Sequence, residues 1–326
     1  MVSSLDLPQA VAGPAGTVDE SIAWHFGDPH REQRLLVEGV GIVDISNRGV
    51  VTVTGPDRLT WLHTLTTQHL ENLQPNESAL VLILSPHGHV EHELHLVDDG
   101  ETSWLIVEPG TADSLENYLK SMQFMLRVEI TNVTSQFAVV WEPISAVDAL
   151  HPTWLVPEPF AGRGLIGREV IIPRADLNSR LEEAPAQSGS WALEALRVAA
   201  AMPRMGAETD HKTLPHEVGW IGSAVHLQKG CYRGQETVAR VQNLGKPPRR
   251  LVLLHLDGSA EILPGHGAPV FAGDKEVGWV GTGARHYELG PVATAIVKRN
   301  VPIEAILTIR TDDGEVPAAQ ENFLTI

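Results

Sequence analysis

The segment Lys229-Gly230-Cys231-Tyr232-Arg233-Gly234-Gln235-Glu236 contains the chain's single cysteine, set among glycines and charges. A thiol reacts as its thiolate; Lys229 and Arg233 favour that form by attraction, while Gly230 and Gly234 allow the sharp turns that expose a sulfur. The competing expectation is a core cysteine that packs like a small hydrophobe. Burial would carry Lys229, Arg233, Gln235 and Glu236 inward at several kcal/mol for each unpaired group. The segment therefore reads as a signature loop presenting a reactive thiol, with Cys231 and Lys229 as its chemical residues and mixed-disulfide exchange within its range.

A second set of ionisable residues follows Gly88. Strict alternation places His89, Glu91, Glu93 and His95 on one strand face and Val90, His92, Leu94 and Leu96 on the other. A solvated face is the first reading, a pocket face with one working carboxylate the second, and a metal site the least supported. Ligands two apart on a strand lie about 6–7 Å apart, too far for more than two to share an ion. Further on, Glu194 and Arg197 have the spacing of a helical pair, and Trp191 opens that helix either as a packing anchor or as a surface for a flat ligand. There is no G-x-S-x-G elbow, G-x-G-x-x-G fingerprint or Walker loop, and spacing alone assigns none of His211, His216 and His226 as a base for Cys231.

These residues need elements to hold them. At 326 residues the chain exceeds the roughly 250–300 at which one core stops growing, so two or three domains are expected. Residues 1–20 read as a loose tail. The runs Ile42–Ile45 and Val50–Val53 read as a hairpin, and a helix should run from Pro56 to about Leu70. Strands are expected at 79–84, 90–97 and 104–107, a helix after Thr111, and two more helices at about 175–183 and 191–201. Hairpins alternating with helices imply an α+β fold with antiparallel sheets. Residues 21–245 form the main region, with a crossing between subdomains near 142–160; after Pro247-Pro248, five short strands suggest a small C-terminal β-barrel over 246–326.

The net charge of −17 disfavours nucleic-acid and anionic membrane partners. Lys246-Pro247-Pro248-Arg249-Arg250 is the densest basic run and reads as a solvated linker. No run approaches the roughly 20 apolar residues of a membrane span, and a lone unpaired cysteine suits a reducing, cytoplasmic setting.

The octapeptide at 229–236 resembles that of the YgfZ-type folate-binding proteins, relatives of the glycine cleavage aminomethyltransferase (T protein). Supporting it are Val53-Thr54-Gly55-Pro56-Asp57-Arg58-Leu59, Leu84-Ser85-Pro86-His87-Gly88 and Glu194-Ala195-Leu196-Arg197-Val198-Ala199-Ala200-Ala201-Met202-Pro203. The resemblance implies a GcvT/YgfZ-like ring of three domains around a folate-sized opening. It also implies a tetrahydrofolate or other reduced-folate cofactor, and a role supporting assembly or repair of iron–sulfur proteins through Cys231 at the rim. One thiolate cannot hold a cluster alone, so partners would supply the other ligands. Glu93, Arg48 and Trp191 fall near the family's folate positions. Two departures from the transferase are Glu91-His92-Glu93 in place of paired aspartates and Ala199 in place of the pterin-reading glutamate. Folate-dependent aminomethyl transfer or demethylation, and a non-catalytic folate sensor, are the alternatives.

Overall fold

Two five-stranded sheets and a closed six-stranded barrel carry the fold, which the computed structural model describes for residues 3–323. One sheet is antiparallel throughout and runs, in spatial order, Glu77–Leu84, Val90–Asp98, Thr102–Val107, Gly49–Thr54, Glu129–Asn132. The other runs Thr153–Leu155, Arg168–Pro173, Phe137–Glu142, Ile42–Asp44, Gln187–Ser188, with only the last pair parallel. Val81, Ile83, Leu94 and Leu96 pack under the helices Arg58–Leu65 and Ala112–Met122, while Leu80, Leu82, Leu84 and Val97 share a core with Val139, Trp141 and Trp154 of the other sheet. Both faces of the first sheet are therefore dry, which is why residues 79–84 form a continuous apolar run rather than an alternating one.

The expected hairpin does not form. Ile42–Asp44 pairs with Phe137–Glu142, and Gly49–Thr54 pairs with Thr102–Val107 and Glu129–Asn132, so the turn closed by Arg48 N–H on the Ile45 carbonyl moves the chain between sheets. Each run is buried on both sides and needs partners that the other cannot supply. The helix expected to reach Leu70 ends at Leu65; Leu70 is buried beyond it. The loose-tail reading also fails for residues 3–20. Ser4 Oγ accepts the Ala23 N–H at 2.9 Å, Val11–Ala12 pairs with Ala23–His25, and the Asn47 amide donates to the Val18 carbonyl and to Asp19.

The barrel is ordered Arg249–Leu256, Gly290–Lys298, Lys275–His286, Pro269–Ala272, Leu307–Thr311, Gly314–Glu321 around a core that includes Val252, Val280 and Ile309. Gly314–Glu321, which closes the ring, escapes sequence reading because its inward residues are only Val316 and Ala318. Arg249 and Arg250 are not linker charges. Arg249 bridges Asp210 and Glu217 at 2.6 and 2.8 Å, and the buried Arg250 donates to Gln320 at 2.9 Å. The helix Ser190–Ala199 docks the barrel through Ala195 and Val198 against Leu253, Ala284 and Val292. Among the described residues no helix is long and apolar enough to cross a membrane.

Candidate functional site

Helix Ser190–Ala199 carries only two charges in ten residues and is otherwise apolar, so most of its surface is buried and its first turn projects into a cavity of about 1170 Å³. The walls come from the whole chain: Gly16–Asp19, Trp24, His89–Glu91, Glu108, Trp191, the segment from Arg204 to His211, and barrel residues 263–266 and 281–284. Trp24 and Trp191 stack at 5.7 Å with 24° between their rings, giving one wall a broad aromatic surface. The barrel wall must be glycine: a Cβ on Gly281 would sit 2.8 Å from both Glu208 Oε1 and Thr294 Oγ1.

The polar side of the cavity is one end of a buried chain of charges. Glu194 pairs with Arg197 at 2.9 Å and Arg204 at 3.3 Å; Arg204 holds Glu108 at 2.7 Å and reaches Asp19 at 3.7 Å. Arg48 continues it through Glu108 and Glu169, and Glu169 bonds His95 at 2.8 Å. Burial alone would raise the Glu194 pKa, but Arg197 and Arg204 outweigh it and bring it to about 2, so the carboxylate facing the cavity is ionised. Asp19 is pushed up by burial, with Arg204 offsetting only part. Arg204 remains charged, its burial overcome by Glu108, Glu194 and Asp19. An aromatic surface, an ionised acceptor and a guanidinium can together hold a flat ligand that carries N–H donors along one edge and an acceptor beside them. Sequence reasoning passed over Glu194 and Arg204 as site residues, because a helical i,i+3 pair has the same spacing on a surface and in a core; the near-absence of other charges on that helix was the available signal.

Of the three candidate folate residues, Trp191 lies in the cavity wall. Arg48 does not line it; the side chain is buried and engaged by Glu108 and Glu169. Glu93 is likewise committed, accepting the Met205 N–H at 3.0 Å with His95 at 3.7 Å, and it too is outside the lining set. The solvated strand face is corrected for a structural reason. A bulge pairs Ile83 with His92 and Leu84 with Val90, leaving Glu91 as the extra residue, so the alternation resets. Val90 joins the inter-sheet core with Val97, Glu93 and His95 are buried, and Glu91 turns toward Arg233, 3.4 Å away, while still lining the cavity. Among the described residues no group of three or more His, Cys, Asp or Glu side chains stands close enough to hold a metal ion.

Cys231 is exposed, on a loop whose neighbours anchor it. Tyr232 is buried, Gly234 takes φ +82° as the N-cap of the helix Gln235–Leu244, and Glu236 sits in that helix's first turn, where its charge suits the dipole. Gln235 N–H closes the turn on the Tyr232 carbonyl, and Gly230 has open space around it. The electropositive collar is not formed. The Lys229 ammonium is buried against the carbonyls of His63 and Thr66, with burial lowering its pKa to about 8, and Arg233 points to Glu91 and the Tyr118 hydroxyl. Nor is Cys231 at the cavity rim; it is absent from the residues that line it.

Residues 13–141 match the family model described as the GCVT N-terminal domain. The aminomethyltransferase of Nostoc sp. is 26% identical over 306 residues, spanning 83% of this chain and 80% of its own, and that of Moorella thermoacetica is 26% identical over 298 residues, spanning 82% and 80%. A chloroplastic protein of Arabidopsis thaliana is 26% identical over 319 residues, 87% of this chain and 73% of its own. The crystal structure of glycine cleavage system aminomethyltransferase T from Bartonella henselae superposes with a TM-score of 0.79 at 16% identity, covering 98% of this chain and 94% of that one. The chain thus resembles the GCVT N-terminal domain over residues 13–141 and shares the fold of that aminomethyltransferase structure along nearly its whole length.

Proposed function

We propose that this chain binds a reduced folate, tetrahydrofolate or a derivative, in the central cavity. The carrying observation is the Glu194 carboxylate, paired with Arg197 and Arg204 and lining the cavity with the Trp24–Trp191 stack: a pterin offers a flat face to the rings and an edge of N–H donors to the carboxylate's remaining lone pairs. At about 1170 Å³ the cavity exceeds the roughly 300–1000 Å³ of ordinary ligand pockets, room enough for a two-ring head and its tail. Glu194 stands five residues before Ala199, about 1.4 turns along the same helix, and it is the glutamate of that helix that lines the cavity, so we assign it the edge-reading role that the resemblance gives to a glutamate at Ala199.

The relatives' names favour one-carbon transfer as the use of that folate, with an amine or N-methyl compound as donor. The folate would supply the nitrogens that accept the one-carbon unit. Glu91, which lines the cavity and keeps part of its surface open, is the strand carboxylate able to meet the donor's nitrogen, since Glu93 is committed to Met205. A second reading, support of iron–sulfur client proteins through Cys231 in the cytoplasm, is favoured by the loop itself, whose buried Lys229 and Tyr232 hold one exposed sulfur in place.

Tetrahydrofolate titration followed by tryptophan fluorescence tests the common core. Trp191→Ala should weaken binding by roughly tenfold, the scale of one lost aromatic contact; unchanged affinity would remove the cavity from the reading. Incubation with tetrahydrofolate and an aminomethyl donor then separates the two uses. Methylene transfer that persists in Cys231→Ser supports the transferase. Absence of turnover, with loss of iron–sulfur enzyme activity in cells carrying Cys231→Ser, supports the thiol role.

A further inference from the structure

A second cavity, of about 630 Å³, lies between the short helix Glu158–Ala161, the C-terminal end of the helix Gln235–Leu244 and Phe323. Its apolar walls include Phe160, Ile221, Val241 and Phe323. Its charged lining is Arg163 and Lys246, with His216 beside them, and among the described residues no aspartate or glutamate lines it. The contrast with the central cavity, which Asp19, Glu91, Glu108, Glu194 and Asp210 all line, is sharp in a chain of net charge −17.

Of the polar lining, which also includes Gln242 and Asn243, these three groups are under-used. Arg163 stacks over the Phe323 ring at 4.3 Å, and its carboxylate neighbour Glu321 is 3.7 Å away and half exposed. Burial pulls the Arg163 pKa down, with Glu321 only partly opposing, as expected for a guanidinium short of counter-charge. Lys246 is exposed and has no hydrogen-bond or ion-pair partner among the described residues. Neither buried ring nitrogen of His216 makes a hydrogen bond of good geometry, although the Gln242 side chain in the same lining approaches it and offsets part of its burial, so a bound acceptor would complete an under-satisfied ring.

We propose that this cavity is a binding site for an organic anion: a flat apolar body against Phe160, Ile221 and Phe323, with one carboxylate, sulfonate or phosphate group held by Arg163 and Lys246 and accepting a hydrogen bond from His216. Planar, forked guanidinium donors suit such groups, and the aromatic wall selects the body attached to them. The site is separate from the folate cavity and does not depend on the reading of it.

The test uses the full chain and 1-anilinonaphthalene-8-sulfonate as fluorescent probe. The expected result is one saturable site, displaced by benzoate or phenyl phosphate and not by benzyl alcohol or inorganic phosphate. Binding should weaken at least about tenfold in the double variant R163Q/K246Q and be unchanged in Trp191→Ala. Ile221→Trp, which fills the cavity and leaves the charges in place, should also abolish it, with far-UV circular dichroism checking each variant's fold. Displacement by benzoate alone assigns a carboxylate ligand, and by phenyl phosphate alone a phosphate. Absence of saturable binding, binding that survives both R163Q/K246Q and Ile221→Trp, or loss in Trp191→Ala would overturn the proposal.

Discussion

His95 lies flat on Trp154 with ring centroids 3.7 Å apart, bonded to Glu169 on one side and near Glu93 on the other. Burial alone would lower its pKa, but Glu169 and Glu93 reverse that and raise it to about 9. The folded state thus binds the proton more tightly than the unfolded chain, whose histidine titrates near 6.5. The resulting stabilisation is complete below about pH 6.5 and is lost as pH rises through 9. Lys229, with its pKa lowered to about 8, works in the opposite sense above pH 8, so the His95 contribution is read by difference: denaturant titrations at pH 6 and pH 9.5 should show His95→Gln losing a few kcal/mol relative to the unsubstituted chain at pH 6 and less at pH 9.5. At Cys231, which is exposed, Cys231→Ser should leave the melting temperature within about 1 °C, since surface changes of this kind stay within ~0.5 kcal/mol. A drop of several degrees would mean that the sulfur is structural. Exposure of Cys231 was legible from its glycines and charges; the direction of those charges was not. Spacing cannot reveal that Lys229 turns inward to two carbonyls at the end of another helix, 163 and 166 residues away.

Helix and barrel assignments were legible where one pattern runs uninterrupted, as in 190–199 and the strands from Arg249 to Thr311. They failed where the chain changes partner. Residues 42–54 look like a hairpin because two β-branched runs flank a turn, yet periodicity does not record which sheet a strand joins. One extra residue at Glu91 reversed the facing of everything before it, and no local signal marks a bulge that lacks glycine. Gly234 is the converse, a position whose demand is local and plain. Its φ of +82° and the 2.6 Å that a Cβ would have to the Ser85 carbonyl oxygen make Gly234→Ala costly, by about 1–3 kcal/mol. Gly230→Ala, with nothing within 4 Å, should be nearly silent. Thermal melts of the two variants check this, and equal effects would show that the loop is not anchored at Gly234.

The three parts of the molecule are joined by polar contacts as much as by apolar ones. Glu208 is fully buried and accepts from Arg197, from the Arg204 N–H and from the hydroxyls of Thr282 and Thr294, tying the helix Ser190–Ala199 to the barrel. Glu208→Ala should therefore cost about 3–5 kcal/mol by leaving Arg197 short of a counter-charge, measured by urea unfolding; a loss under ~1 kcal/mol would mean that the barrel is held by Ala195 and Val198 alone. None of this assembly was visible in advance, because its members lie up to 97 residues apart, from Arg197 to Thr294. The same separation governs when the ligand cavity can exist. Gly16–Asp19 form one wall, but the guanidinium that reaches Asp19 belongs to Arg204, 185 residues later, and the barrel wall to Gly281 and Gly283. A nascent chain cannot complete this chamber before Ala284 has emerged from the ribosome, so ligand capture has to wait for the barrel.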